Sequence, residues 1–430
     1  MIDIKLVRDS PEKVKENLKK KFQDDKIYLV DEVKKKDEEW RRLKTEADSL
    51  RAERNKVSIE INEAKKAGKN VNELLGKAKS IPERIAEIEV KTKVLEEEIS
   101  SMMKQIPNII HKSVPVGRDS SANVVRKVIG KPTKFKFPVK NHIEIAEKLC
   151  IIDFDTSAEV SGNGFYYLIG DLARLNQALV RFGIDCMIKK GYTYMETPLM
   201  IHSDVVSGVM SFKEMENMMY KIEGEDLYLI GTSEHSLIGF YKNKALGLKQ
   251  LPQKLTSYSA CFRKEVGSHG INEKGLFRTH QFNKVEMVVI CKPEDSYKFY
   301  DEMLKISIDI YKQLGIPTRV LECCSGDLAD LKAKSCDLEF WSPAQNKYAE
   351  IGSLTNMEEA QARRLNIKFV DKNSEKKFVH TLNNTAIATS RAMVAILENY
   401  QQKDGSVKIP TILQKYMGGT KKIDNSGRAK

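Results

Sequence analysis

Apolar residues in the N-terminal part of the chain are spaced alternately three and four apart. From Val33 the series passes through Trp40, Leu43, Ala47, Leu50, Val57, Ile61 and Ala64, broken only by Lys36 and Arg54. After Ala67-Gly68-Lys69-Asn70 the same spacing resumes at Leu74 and continues through Ala78, Ile81, Ile85, Ile88, Leu95, Ile99, Met102 and Ile106, with Thr92 as its one break. This seam predicts two long helices, and the glycine-bearing turn folds one back on the other as an antiparallel hairpin. About 40 residues at ~1.5 Å each make an arm on the order of 60 Å long. Pro82 lacks a backbone donor and is expected to kink or loosen the second helix. Upstream, Ser10-Pro11-Glu12 reads as the capped start of a single short helix.

Beyond Pro107 the pattern changes. A Ser-, Gly- and Pro-bearing stretch, Ser113 to Lys140, reads as a linker, and the sequence after it is richer in Gly, Tyr and Phe. Strands are predicted at Gly164–Ile169, Tyr192–Met200, Leu227–Gly231, Lys254–Phe262, Phe277–Ile290, Arg319–Cys323, Cys336–Trp341 and Lys347–Ser353. Helices are predicted at Ile143–Leu149, Asp171–Lys190, Glu294–Leu314, Glu358–Ile367 and Ala386–Tyr400. Neighbouring strands with hairpin-length gaps favour an antiparallel sheet, so the class is α+β with an N-terminal coiled-coil domain. The expected division is 1–112 (arm at about 30–106), linker 113–140, a second domain 141–420, and a basic tail 421–430 without structure.

Composition narrows the possibilities. The 72 Lys and Arg residues against 60 Asp and Glu give a net charge of +12, which permits a polyanionic partner such as RNA without requiring one. The arm's Lys34, Lys35, Arg41, Arg42, Lys44, Arg51, Lys56, Lys65 and Lys66 could grip phosphates, but acidic residues interleave them, so a spacer or dimerisation coil fits as well. Seven scattered cysteines and no export signal point to reduced thiols in a cytoplasmic protein. Adjacent Cys323 and Cys324 with Cys336 lack zinc-ligand spacing, so no zinc is expected. No window is long and apolar enough to span a membrane.

The chemistry concentrates between Tyr258 and Glu286, two apolar runs around a loop with three glycines. Arg263 and Glu265, two apart, would share one strand face; Phe282, Lys284 and Glu286 would alternate with Gln281, Asn283 and Val285. A strand that spends so many positions on charge either holds a polar ligand or is a salt-bridged surface hairpin.

This hairpin and two further stretches together tip that balance. F-R-K-E (Phe262–Glu265) with R-T-H-Q-F-N-K-V-E (Arg278–Glu286), the helix and strand from Leu175 through Gly191 to Pro198, and H-T-L-N-N-T-A-I-A-T-S-R (His380–Arg391) resemble the three motifs of class II aminoacyl-tRNA synthetases. T-S-E (Thr232–Glu234), E-I-G-S-L-T-N (Glu350–Asn356) and the helical arm resemble the seryl-tRNA synthetase family, of the eukaryotic cytosolic kind. The resemblance implies an antiparallel-sheet catalytic domain that makes seryl-adenylate from ATP and L-serine, then charges tRNA(Ser). Selenocysteine tRNA stays open as a second acceptor.

The resemblance likewise implies a role for each site residue. Arg263, Glu350 and Arg391 are catalytic. ATP contacts come from Arg263, Glu265, Thr279, His280, Gln281, Phe282, Glu350, Ile351, Gly352, Ser353 and Arg391, with adenine between Phe282 and Arg391. Thr232, Glu234, Arg263, Glu286, Asn383 and Thr385 bind serine. Glu350 and Ser353 hold Mg²⁺ with the ATP, a hard ion suited to oxygen donors. The family also implies a homodimer whose arm grips tRNA. In the loop Gly270–Gly275 Lys274 is the only basic residue and Glu273 is acidic, fewer positive charges than the family usually places there. A catalytically silent, synthetase-like coiled-coil binding protein is the rival reading, and a relative that charges a carrier protein is another.

Overall fold

The structure is a computed structural model that describes residues 1–266 and 275–425. It divides into two separately packed units, Ile2–Pro107 and Asn108–Lys430 with Met1. In the first, α1 (Ile4–Asp9) and α2 (Pro11–Lys20) precede two long helices, α3 (Ile27–Lys66) and α4 (Asn72–Gln105). The single capped helix expected at Ser10 is thus two helices. Ser10 closes α1 through its backbone N–H, and in that conformation its hydroxyl makes no capping bond to α2.

The seam packs as its spacing requires. Leu43 and Ala47 cluster with Ile88 and Leu95, and Val57 with Ile81 and Ile85, so α3 and α4 run antiparallel. Near the end Met103 is buried in place of Met102. Pro82 does not break α4: Ile81 and Ile85 beside it are both buried, and their packing outweighs the lost backbone bond. Charges on the arm pair across it, Lys36 with Glu98 at 2.7 Å, Arg51 with Glu89 at 2.8 Å and Arg84 with Glu46 at 2.9 Å. At the base, buried Asp37 takes two bonds from the Arg8 guanidinium, at 2.6 and 2.7 Å, tying α1 to α3.

The second unit is built on an eight-stranded sheet. In chain order its strands are β1 (Val124–Ile129), β2 (Thr193–Tyr194), β3 (Gln253–Phe262), β4 (Gln281–Cys291), β5 (Thr318–Glu322), β6 (Lys334–Ser342), β7 (Lys347–Glu358) and β8 (His380–Ala388). Across the sheet they run β1-β5-β6-β7-β8-β4-β3-β2, antiparallel except for the parallel pair β2 and β3. One face packs on α6 (Asp171–Lys189), α8 (Ser296–Gln313) and α10 (Thr389–Asn399) through Val285, Met287, Val289, Ile351, Leu354 and Leu382. Val288 and Ile290 point the other way, onto Leu237 and Ile238 of α7 (Ser233–Gly239).

Several expected elements differ. The linker 113–140 contains β1, the edge of the main sheet. The strands expected at Gly164–Ile169 and Leu227–Gly231 shrink to Tyr167–Leu168 and Tyr228–Leu229, and Tyr192–Met200 splits into β2 and Met200–Ile201. The helix expected from Ala386 starts at Thr389, because β8 continues in the sheet to Ala388. The one expected from Glu358 is α9 (Ala360–Leu365), since β7 extends to Glu358. The tail's first residues are ordered, with Lys422–Ile423 pairing Val407–Lys408; residues 426–430 lie outside the described ones.

Two bulges interrupt the sheet where its polar side chains gather. In the pairing of β6 with β7 the register slips between Leu338 and Glu339, and in that of β8 with β4 between Thr385 and Ile387.

Ile88 is fully buried in the arm seam. Ile88→Ala is expected to cost the arm about 2–4 kcal/mol of local stability, read by native-state hydrogen exchange of the surrounding amides. Exposed Glu83→Ala should change it by less than about 0.5 kcal/mol. Equal effects would mean that the seam does not hold the helices together.

Candidate active site

The polar face of the sheet forms the floor of a cavity of about 480 Å³. On β4, Phe282, Lys284 and Glu286 line it, while Val285 and Met287 go to the core. On β8, Asn383 and Thr385 line it, and Thr385 stands opposite Glu286. Strict alternation would send Glu350 and Ser353, three apart, to opposite faces. The bulge near Ile351 absorbs the extra residue, so Glu350, Ser353 and Thr355 all line the cavity, while Leu354 stays in the core and fully buried Ile351 packs there and borders the cavity.

One end of the cavity suits an anion. Arg391, in the first turn of α10, pairs with Glu350 at 3.0 Å, and its guanidinium lies 4.8 Å over the Phe277 ring. Arg391 holds the Glu350 carboxyl below its ordinary range. Arg263 lies 5.2 Å over Phe282, and its Nε donates to the Gly231 carbonyl at 3.1 Å, which fixes the guanidinium. Arg278 pairs with Glu265 at 2.6 Å. Asp337 stands opposite Ser353 in the register and is hydrogen-bonded to its side chain. Burial, then the nearby Glu350 charge, push the Asp337 carboxyl up to about 6. Glu350, Asp337 and Ser353 offer only oxygen donors, so this corner fits a hard divalent cation.

The other end is buried and mostly hydrogen-bonded, with His235 Nδ1 left without a partner among the described residues. Thr232, the N-cap of α7, donates from its hydroxyl to Glu286 at 2.9 Å, and Glu286 also pairs with buried Lys284. Glu234 accepts from Gln361 at 2.8 Å and Asn383 at 2.9 Å, both on one oxygen. Burial, then the charge of Glu286, raise the Glu234 carboxyl to about 7. Burial, then Arg263 and Lys284, depress His235 to about 3.

The structure brings Thr232, Glu234, Arg263, Glu265, Thr279, Phe282, Glu286, Glu350, Ile351, Gly352, Ser353, Asn383, Thr385 and Arg391 to this one cavity. It leaves out His280 and Gln281. The His280 ring stacks on Phe165 at 5.3 Å and its Nδ1 meets the Tyr220 hydroxyl at 2.9 Å, while Gln281 is exposed. Arg263 and Glu265 do not share a strand face either: β3 ends at Phe262 and Glu265 has a left-handed φ of 51°. Arg391 lies over the Phe277 ring and Arg263 over the Phe282 ring. The Gly270–Gly275 departure lies, from 270 to 274, outside the described residues. Sequence reasoning assigned no role to Phe277, Lys284 or Asp337; the alternation of Phe282, Lys284 and Glu286 was the available signal for Lys284.

A carboxyl raised in the fold stabilises it fully below the ordinary value of 4.5, and the contribution is lost as pH climbs through about 7. Glu234→Gln should therefore gain on the wild type by up to roughly 3 kcal/mol between about pH 5 and 8, measured by urea unfolding. A difference that stays flat with pH would refute the neutral buried carboxyl.

Comparison with known proteins agrees with this geometry. Residues 1–110 match the seryl-tRNA synthetase N-terminal domain, and residues 218–400 the tRNA synthetase class II core domain (G, H, P, S and T). The serine–tRNA ligase of Methanocella arvoryzae is 45% identical over 97% of this chain and 99% of its own length. The crystal structure of seryl-tRNA synthetase from Pyrococcus horikoshii complexed with ATP superposes with a TM-score of 0.94 at 43% identity, covering 99% of both chains. The cytoplasmic serine–tRNA ligase of Naegleria fowleri in complex with AMP gives 0.90 at 34% identity, again over 99% of both. The chain belongs to the seryl-tRNA synthetase family of class II aminoacyl-tRNA synthetases.

Proposed function

We infer that this protein activates L-serine with ATP and transfers the seryl group to tRNA(Ser). The observation that carries the reading is a single cavity that joins an arginine-lined anion end to a buried hydroxyl- and ammonium-binding end. The relatives bound to ATP and AMP support the nucleotide assignment.

In the first step a serine carboxylate oxygen attacks the α-phosphorus, and the bond to the departing pyrophosphate breaks. Arg263 and Arg391 stabilise the charge on the phosphoryl oxygens, and Arg263 also aligns the carboxylate through its planar fork. Glu350 and Ser353, with Asp337 beside them, would hold Mg²⁺, which supplies further charge neutralisation on the phosphates. Phe277 and Phe282, each already paired with an arginine, offer faces for adenine. Glu286 accepts the serine hydroxyl, and a substrate lacking that hydroxyl would leave a buried carboxylate oxygen short of a partner. Glu234 faces the serine ammonium, which favours the charged carboxylate and releases its proton on binding. In the second step a terminal ribose hydroxyl of the tRNA attacks the seryl carbonyl, and AMP departs.

The arm is the part of the chain suited to tRNA, and a homodimer would present one subunit's arm to tRNA bound at the other. The silent-paralogue reading loses ground because Arg263, Arg391, Glu350 and Glu286 are all present in one cavity.

Serine-dependent exchange of labelled pyrophosphate into ATP tests the activity, and its absence with Mg²⁺ present would refute it. Arg263→Ala should lower exchange by on the order of 10²–10³-fold. Deleting residues 30–106 should leave exchange intact and abolish tRNA charging; unchanged charging would refute the role of the arm.

A further inference from the structure

Behind the cavity lies a buried ionisable pair that the proposed reaction does not use. His142 opens α5 (His142–Lys148), and Glu398, with no exposed surface, lies near the end of α10. His142 Nδ1 is 3.3 Å from Glu398 Oε1, and Glu398 Oε2 accepts from the Ser342 hydroxyl at 2.5 Å. At the opposite edge of the ring, Nε2 accepts the Leu276 backbone N–H at 3.2 Å. A neutral imidazole that accepts at Nε2 carries its proton on Nδ1, so Nδ1–H donates to Glu398 and the ring orientation is fixed. The chain presses close here: a Cβ on Gly275, whose φ is 147°, would lie 3.0 Å from His142 Nε2.

The same helix holds the next residue. Arg391 Nε donates to the Phe277 carbonyl at 3.3 Å while its guanidinium covers the Phe277 ring. Arg391 and Glu398 are seven apart, two turns along one face of α10. One helix face therefore grips Leu276 by its N–H, through His142, and Phe277 by its C=O, through Arg391. Leu276 is fully buried, so water cannot replace the histidine as acceptor.

We propose that His142 is a positioning residue for the nucleotide end of the cavity, fixing Leu276–Phe277 so that the Phe277 ring and Arg391 meet ATP in register. The proposal rests on the seryl-tRNA synthetase reading. It goes beyond it in giving a task to a residue outside the cavity. The serine end hangs from other elements, Thr232 and Glu234 on α7 and Glu286 on β4, so the effect is confined to ATP.

His142→Asn keeps a donor for Glu398 and loses the reach to Leu276, whereas His142→Gln spans to both. In pyrophosphate exchange His142→Asn should raise KM for ATP about tenfold, the scale of one orphaned buried N–H, and leave KM for serine unchanged. His142→Gln should restore KM for ATP to within about twofold. Equal rises in both KM values, no rise, or failure of the glutamine to rescue would overturn the proposal. If His142→Asn does not fold, His142→Gln alone decides, since KM values for ATP and serine that rise together in it refute the role. A wild type without exchange refutes the enzymatic reading instead, and ATP affinity by calorimetry on the same variants then tests His142 separately.

Discussion

The site depends on two slips in strand register. A β-strand sends alternate residues to opposite faces, so a face that must show Glu350, Ser353 and Thr355 while its back buries Ile351 and Leu354 cannot be a regular strand. The bulge in β7 reconciles the two demands, and the bulge in β8 does the same for Thr385 and Ala388 in front of buried Ala386 and Ile387. Beyond the second bulge the chain turns directly into α10, which places Arg391 over Phe277 and beside Glu350. The arginine-bearing end of the cavity is thus assembled by irregularities on adjoining strands, backed by helices that pack the core.

Charge then separates the cavity into two working ends. Glu350 sits beside Arg391 and is held below its ordinary carboxyl range. Glu234 has amide partners and Glu286 for a neighbour, and it titrates near 7. Two carboxylates in one cavity are therefore shifted in opposite directions by their surroundings alone, the pattern expected where groups have different tasks. Glu286 has Lys284 and Thr232 as partners already in place, so its carboxylate belongs to a network whose geometry is set beforehand.

Legibility in the sequence followed the range of the interactions. The arm was readable because its seam is a local periodicity, and even there packing overrode the helix-breaking tendency of Pro82 and moved burial from Met102 to Met103. The main strands were readable by alternation. Their ends were not, because the start of α10 at Thr389 is decided by pairing with β4, a hundred residues away in the chain. Motif residues came together where a short pattern named them. His280 and Gln281 shared the motif but not the cavity, because Tyr220 and Phe165 claim the His280 ring. Asp337 and His142 matter only through partners on distant segments, Ser353 in one case and Leu276 with Glu398 in the other, and no local pattern announces them.

The arm and the cavity use charge for different ends. On the arm, Lys36, Arg51 and Arg84 are each answered by a glutamate on the facing helix, and such exposed pairs contribute about 0–1 kcal/mol each. Their effect is register and solubility, while the apolar seam supplies the stability. Arg41 and Arg51 are occupied by Asp37 and by Asp48 with Glu89, so the cations left for a polyanion among the described residues are spread singly or in pairs along the length, from Lys34, Lys35 and Arg42 through Arg54 to Lys65 and Lys66. A surface of that kind suits contact with a phosphate backbone by shape more than by charge density. In the cavity the reverse holds: charges are concentrated, and Glu350, Glu286 and Glu265 each face a cation across a short gap, so charge there sets geometry at single side chains while on the arm it is spread over a long surface.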